Sequence, residues 1–186
     1  MRMNKAIRIV LALSIASAVY AADVVVSAAH GTVEKVDSAS KTIVVKTADG
    51  TEHTFHYVDR TAVHGADASS DASADAAKDS WHGVTKGTEV VAHYTKRGTE
   101  ETALEIDKVG RGGLDVTKGT VKEIDRGTKK LVVVTADGTE KTFTLSDHAV
   151  TDSGKDIAKG SEKGAKVVVY SSEDAGKKVA HFFEHV

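Results

Sequence analysis

An internal duplication governs what this chain of 186 residues can fold into. The stretch GTVEKVDSASKTIVVKTADGTEHTF, from Gly31 to Phe55, returns as GTVKEIDRGTKKLVVVTADGTEKTF, from Gly119 to Phe143, with 15 of 25 positions identical and no gap. The downstream halves also correspond, at a shorter offset: GTEVVAHY from Gly87 lies over GAKVVVYS from Gly164, and TALEIDKV from Thr102 lies over VAHFFEHV from Val179. The offset falls from 88 to 77, so the first copy carries 11 extra residues between Val63 and Gly87. The repeat marks a duplicated domain.

Within each copy the pattern is that of strands. Thr32-Val33 and Val36 carry apolar residues three apart instead of two, which predicts a bulge or bend in the first strand. Lys41 to Thr47 is β-branched and alternating, and predicts the second strand. Ala48-Asp49-Gly50-Thr51 then supplies an Asp-Gly pair, read here as a type I′ hairpin. Glu52 to Val58 forms the third strand with Phe55 and Tyr57 on one face; their counterparts Phe143 and Leu145 mark that face as core. Glu89 to Thr95 and Thr102 to Val109 are the fourth and fifth strands, after a short helix or loop. The expected fold is all-β: two tandem five-strand small barrels, residues 28–109 and 114–186, joined by a linker at 110–113.

The first 21 residues stand apart from the repeat. A basic start (Arg2, Lys5, Arg8), an apolar run from Ile9 to Ala18 and a small-residue exit at Val19-Tyr20-Ala21 read as a secretory signal peptide, which places the protein in the periplasm or outside the cell. The apolar run is too short to span a bilayer comfortably, so no membrane span is expected. Removing it leaves 22 basic residues against 27 acidic ones, a net charge near −5. Acidic and basic residues alternate along almost every segment, which argues against a nucleic-acid surface. The absence of cysteine excludes disulfides, thiol catalysis and thiolate metal sites.

The order of three strands, a connection and two strands is that of the OB-type barrel. The G-T-V-x-x-(V/I)-D start, the A-D-G-T-E hairpin and the G-x-x-V-V strand resemble the bacterial OB-like domains found, often in tandem, in secreted proteins of unknown function. More loosely, the chain is similar to small periplasmic bacterial OB-fold stress proteins. The resemblance implies a fold and a compartment, with no catalytic residues to carry over.

The C-terminal His181-Phe182-Phe183-Glu184-His185 spells H-x-x-E-H, a zinc-peptidase pattern that works on a helix. The repeat places Ala180 over Ala103 and Phe183 over Ile106, which makes the segment the fifth strand. At about 3.3 Å per residue the two histidines then stand about 13 Å apart, too far to share one zinc. His181, over Leu104, is expected to pack inward or against the neighbouring barrel. Nine histidines, six of them in copy one, raise weak metal binding as a second reading. His53 and His56 lie on opposite faces of strand three and are replaced by Lys141 and Thr144 in copy two, while His30, His64, His82 and His93 fall near strand ends or on an outer face. Asp67, Asp71, Asp75 and Asp79 recur every four residues in the insertion and read as a solvated loop rather than a cation loop, which places acids every second residue. No nucleophile elbow or phosphate loop is present, and Gly110-Arg111-Gly112-Gly113 reads as the linker.

The sequence therefore assigns no catalytic, cofactor or metal residue and predicts no enzyme. It points to a noncatalytic binding or structural module, with an envelope protein or glycan as partner, and alternatively to a histidine-based metal-binding or stress protein.

Overall fold

The computed structural model describes residues 26–65, 80–147, 149 and 163–186. The signal segment, the insertion with its four aspartates, and the connection at 150–162 lie outside the described residues.

Thirteen strands are described, and they build two barrels. In the first, β1 (Val26–Asp37) pairs antiparallel with β2 (Thr42–Thr47), and β2 with β3 (Glu52–His56). On its other side β1 pairs with β7 (Glu89–Arg97), and β7 with β8 (Glu100–Lys108). A short parallel pairing, Phe55 with Glu101 and His56 with Thr102, closes the ring. Beyond that closure β8 takes a further strand, β4 (Ala62–His64), also in parallel. A small hairpin of β5 (Ser80–Trp81) and β6 (Val84–Thr85) lies in the insertion, with Trp81 stacked on Tyr57 at 4.2 Å between ring centroids.

The second barrel repeats the scheme with β9 (Asp115–Asp125), β10 (Lys130–Val134), β11 (Glu140–Leu145), β12 (Lys166–Asp174) and β13 (Lys177–His185), closed in the order β10-β11-β13-β12-β9. Registers match across the copies: Val33 faces Val45 and Val121 faces Val133. Alternation sends Val33, Ile43, Val45, Phe55, Val90, Ala92 and Ile106 into one core, and Val121, Leu131, Val133, Phe143, Val167, Val169 and Phe183 into the other. The expected all-β pair of small barrels is the fold observed.

Of the bulge or bend expected from the apolar spacing of three, the structure has a bulge, between Val33 and Lys35 in the β1–β2 register. The hairpin differs from the reading above. Gly50 (φ 87°) and Gly138 (φ 83°) take the positive-φ position, but Asp49 and Asp137 are not among the residues with positive φ. Gly50 N–H donates to Thr47 O, and Asp49 accepts from the Thr51 N–H at 3.0 Å. This is a turn followed by a left-handed glycine, the longer hairpin connection in which one residue rather than two needs positive φ. The aspartate is there for its side chain.

The outer faces of the two barrels meet. Val91 of β7 alternates with core residues Val90 and Ala92, so it points away from its own core; Val168 and Tyr170 of β12 do the same in the second barrel. These three form a separate apolar cluster with Leu114, flanked by Val109 and Phe182. The joint is tight: Leu114 N–H donates to Lys108 O at 2.7 Å, and Gly113 N–H to Gly110 O at 2.8 Å. A Cβ on Gly113 would come within 2.1 Å of Lys108 O, so glycine is required there.

Candidate metal centre at the barrel seam

Four side chains that could ligate a metal converge beside this apolar seam: His64 from β4, Glu105 and Asp107 from β8, and His181 from β13. One nitrogen or oxygen from each lies within 4.8 Å of all the others.

Each reaches the site for a local reason. On β8, Ile106 faces the core while Glu105 and Asp107 take the outer face. Parallel pairing of β4 with β8 sets His64 directly opposite Asp107. The start of β4 is held by Thr61, whose hydroxyl donates to Ala103 O at 2.9 Å and accepts from the Val58 N–H at 3.0 Å. His181 arrives through a bulge: Tyr170 pairs with Phe182 and Ser171 with Ala180, so His181 is the extra residue of β13. Leu104 is skipped in the same way between His93 and Tyr94 in barrel one. Bulges of this kind re-aim a side chain, and here the residue is a histidine directed at the neighbouring barrel's acids.

The geometry is that of a closed donor set with one open side. His64 Nδ1 stands 2.6 Å from Glu105 Oε1 and 2.7 Å from Asp107 Oδ1. His181 Nδ1 stands 3.5 Å from Asp107 Oδ2 and 3.9 Å from Glu105 Oε1. Around a tetrahedral ion with bonds of about 2.0–2.1 Å, neighbouring donors are about 3.4 Å apart. His64 would thus retreat by under about 1 Å and His181 advance by a few tenths to fit one. Side-chain exposure is 54% for His64 but 10%, 0% and 13% for Glu105, Asp107 and His181, so entry is from the His64 side. His181 Nε2 lies 2.9 Å from Ser172 Oγ. A hydrogen bond there orients the ring and leaves Nδ1 for the site, the outer-shell arrangement that metal-binding histidines generally have.

Electrostatically the site sets two carboxylates, one of them fully buried, against imidazoles. Asp107 is pushed up from 3.8 to about 6, first by burial and then by the neighbouring Glu105 carboxylate, against the hydrogen bond from His64 and the proximity of His93. His64 is lowered by burial, but its hydrogen bond to Asp107 and the charges of Asp107 and Glu105 outweigh this and raise it. Asp107 Oδ2 is enclosed and makes no hydrogen bond. His181 Nδ1 stands 3.5 Å from it and His93 Nε2 3.9 Å. A buried carboxylate oxygen without a donor is costly, and a cation at this point would satisfy it.

Of the histidines weighed from sequence, His64 belongs to the cluster. His93 is fully buried rather than on an open outer face, because it shares the face of Val91 that the second barrel covers. His53 pairs with Glu101 at 2.9 Å, and His56 is exposed. His30 joins a second polar group at the seam: its Nε2 lies 2.7 Å from Glu89 Oε1, its Nδ1 3.1 Å from Tyr170 Oη, and Tyr170 Oη donates to Glu184 Oε1 at 2.7 Å. Burial and these carboxylates raise the Tyr170 hydroxyl well above its ordinary range. Sequence reasoning left out Glu105 and Asp107. The available signal was their alternation with Ile106, a pair of acids on one strand face where the copy-two counterparts are Phe182 and Glu184. His181 and His185 are four apart on β13, as expected, and His185 is exposed and outside the cluster.

No protein-family model matches the chain, and no curated protein matches it. Among solved structures it is similar to Ag(I)CusF, at 18% identity and a TM-score of 0.30, over 45% of this chain and 96% of that one. It is similar also to CusF-Ag(I) residues 10–88 from Escherichia coli, with the same identity and TM-score, over 45% and 90%. Apo-CusF residues 6–88 from Escherichia coli gives 18% and 0.29, over 45% and 86%. Among the described residues no helix is long and apolar enough to cross a membrane.

Proposed function

We propose that the protein is a noncatalytic metal-binding protein of the periplasm or extracellular space, taking one divalent cation between its barrels. The observation that carries the reading is Asp107, whose buried Oδ2 makes no hydrogen bond and faces a cluster of two imidazoles and a second carboxylate.

The donor set selects the class of ion. Two nitrogens and two carboxylate oxygens suit zinc and its divalent neighbours in the first transition row. A soft monovalent ion such as silver(I), present in two of the similar structures, prefers sulfur. The only methionines here are Met1 and Met3, and there is no cysteine. Calcium, which takes six to eight oxygens, finds too few at this site. Four protein donors would fill a tetrahedral shell, which supports storage or carriage of an ion over catalysis.

Titration calorimetry of chelator-treated protein with zinc chloride tests this. One ion per chain is expected, with affinity reduced at least about 100-fold in Glu105→Gln and in Asp107→Asn, more than the about 10–100-fold that loss of an outer-shell partner costs. Substoichiometric binding, or binding that both variants retain, would overturn the reading.

A further inference from the structure

The four donors do not belong to one barrel. His64, Glu105 and Asp107 stand on β4 and β8 of the first, and His181 is supplied by the bulge of β13 in the second. We propose that the bound ion is a clasp: its occupancy decides whether the two barrels are held as one body or move against each other. This rests on the metal-binding reading and adds a consequence to it, a change of shape that a partner could read.

The seam has three parts, and two of them are complete without an ion. The centre is apolar, with Val91 and Leu114 against Val168 and Tyr170. One polar group is closed by protein atoms: His30 is held between Glu89 of its own barrel and Glu184 and Tyr170 of the other. At the His64 cluster, by contrast, two carboxylates face the one histidine that the second barrel contributes, and Asp107 Oδ2 makes no hydrogen bond. The distances divide accordingly. Within barrel one His64 is 2.6 and 2.7 Å from its acids, at hydrogen-bond contact, whereas across the seam His181 Nδ1 stands 3.5 and 3.9 Å from them. An ion at the centre would join the barrels through coordinate bonds of about 2.0–2.2 Å, one from His181 and the others from His64, Glu105 and Asp107.

The neighbourhood is built to pass on that change. Gly65, the residue after His64, is packed so closely on the linker that a Cβ there would meet Gly113 Cα at 2.6 Å and Gly112 O at 2.8 Å. Gly110 (φ 88°) and Gly112 (φ 78°) give the linker its bend. The strand that carries the most exposed ligand thus abuts the joint about which the barrels would turn.

The chain has no cysteine, so a pair introduced at exposed positions, Thr54→Cys in barrel one and Ala136→Cys in barrel two, takes two spin labels without background. Pulsed dipolar distance measurements on the full chain, with zinc chloride as probe, then read the inter-barrel distance while calorimetry on the same sample reads binding. The expected result is a distance distribution that narrows in step with occupancy and saturates at one ion per chain. His181→Leu, which restores the residue at the equivalent Leu104, keeps three ligands on barrel one; it should bind zinc more weakly and show no narrowing even when saturated. Stoichiometric binding with an unchanged distribution would overturn the clasp and leave the metal-binding reading standing, as would narrowing that His181→Leu retains in full. Absence of zinc binding would remove both.

Discussion

Asp107→Asn should stabilise the metal-free protein at neutral and alkaline pH while removing most of its response to zinc. The folded carboxyl titrates at about 6 against an ordinary 3.8. A raised folded value means that the charged form is disfavoured by folding, so the cost is absent below about pH 4, grows as pH rises through the interval, and is complete above about 6. A gap of about two pH units, at about 1.4 kcal/mol each, sets a ceiling of about 3 kcal/mol on that cost. The groups facing Asp107 are Glu105, which adds to it, His64 and His93, which oppose it, and His181, whose Nδ1 stands 3.5 Å away. Asparagine keeps an acceptor for His64 and removes the charge, and its amide would stand 3.5 Å from His181 Nδ1. Urea unfolding of chelator-treated protein at pH 8 should therefore show the variant more stable by about 1–3 kcal/mol, with the gain shrinking toward zero near pH 4. At zinc 100-fold above its dissociation constant the wild type should gain about 2.7 kcal/mol, and the variant no more than about 0.4 kcal/mol. A variant less stable than wild type at pH 8 without metal would refute the reasoning, because Asp107 would then be an ordinary paired anion.

Four further outcomes follow from other parts of the molecule. His30, which burial alone would lower, is raised above 6.5 by Glu184 and Glu89, so its stabilising effect is present below 6.5 and lost as pH rises through its folded value; the deficit of His30→Gln in urea melts should be larger at pH 6 than at pH 9. Phe183→Ala opens the core of the second barrel and should cost about 3–5 kcal/mol in the same assay, whereas Glu184→Gln should leave peptidase assays at background with or without zinc. A Cβ at Gly50 meets no atom within 4 Å, so the cost of Gly50→Val, about 1–2 kcal/mol by thermal unfolding, would come chiefly from backbone strain at φ 87°.

The frame of this fold is legible in the chain because local rules and the repeat agree. Alternation around Val44 and Val132, the spacing of three from Val33 to Val36 and the glycines at 50 and 138 each recur in two copies, and each appears in the structure. The turn chemistry was legible only by halves, since Asp-Gly serves two hairpin types and the side chain of Asp49 decided between them. The metal cluster was hidden for a different reason. A single strand face shows Glu105 and Asp107 as ordinary solvated acids, and His181 over Leu104 as a substituted apolar residue. Only the packing of one barrel's outer face on the other's buries Asp107 and brings a residue 74 positions further along the chain to within 3.5 Å of it. Repeat alignment reports what two copies share, while this site is made of what they do not.

Anomalous diffraction at the zinc absorption edge, from crystals of chelator-treated full-length protein given one equivalent of zinc, examines the seam most directly. The expected result is a single peak within about 2.0–2.2 Å of His64 Nδ1, His181 Nδ1 and an oxygen each of Glu105 and Asp107. A peak at other histidines, such as His53 or His185, or no peak between the barrels at full occupancy in solution, would contradict a metal centre at this junction.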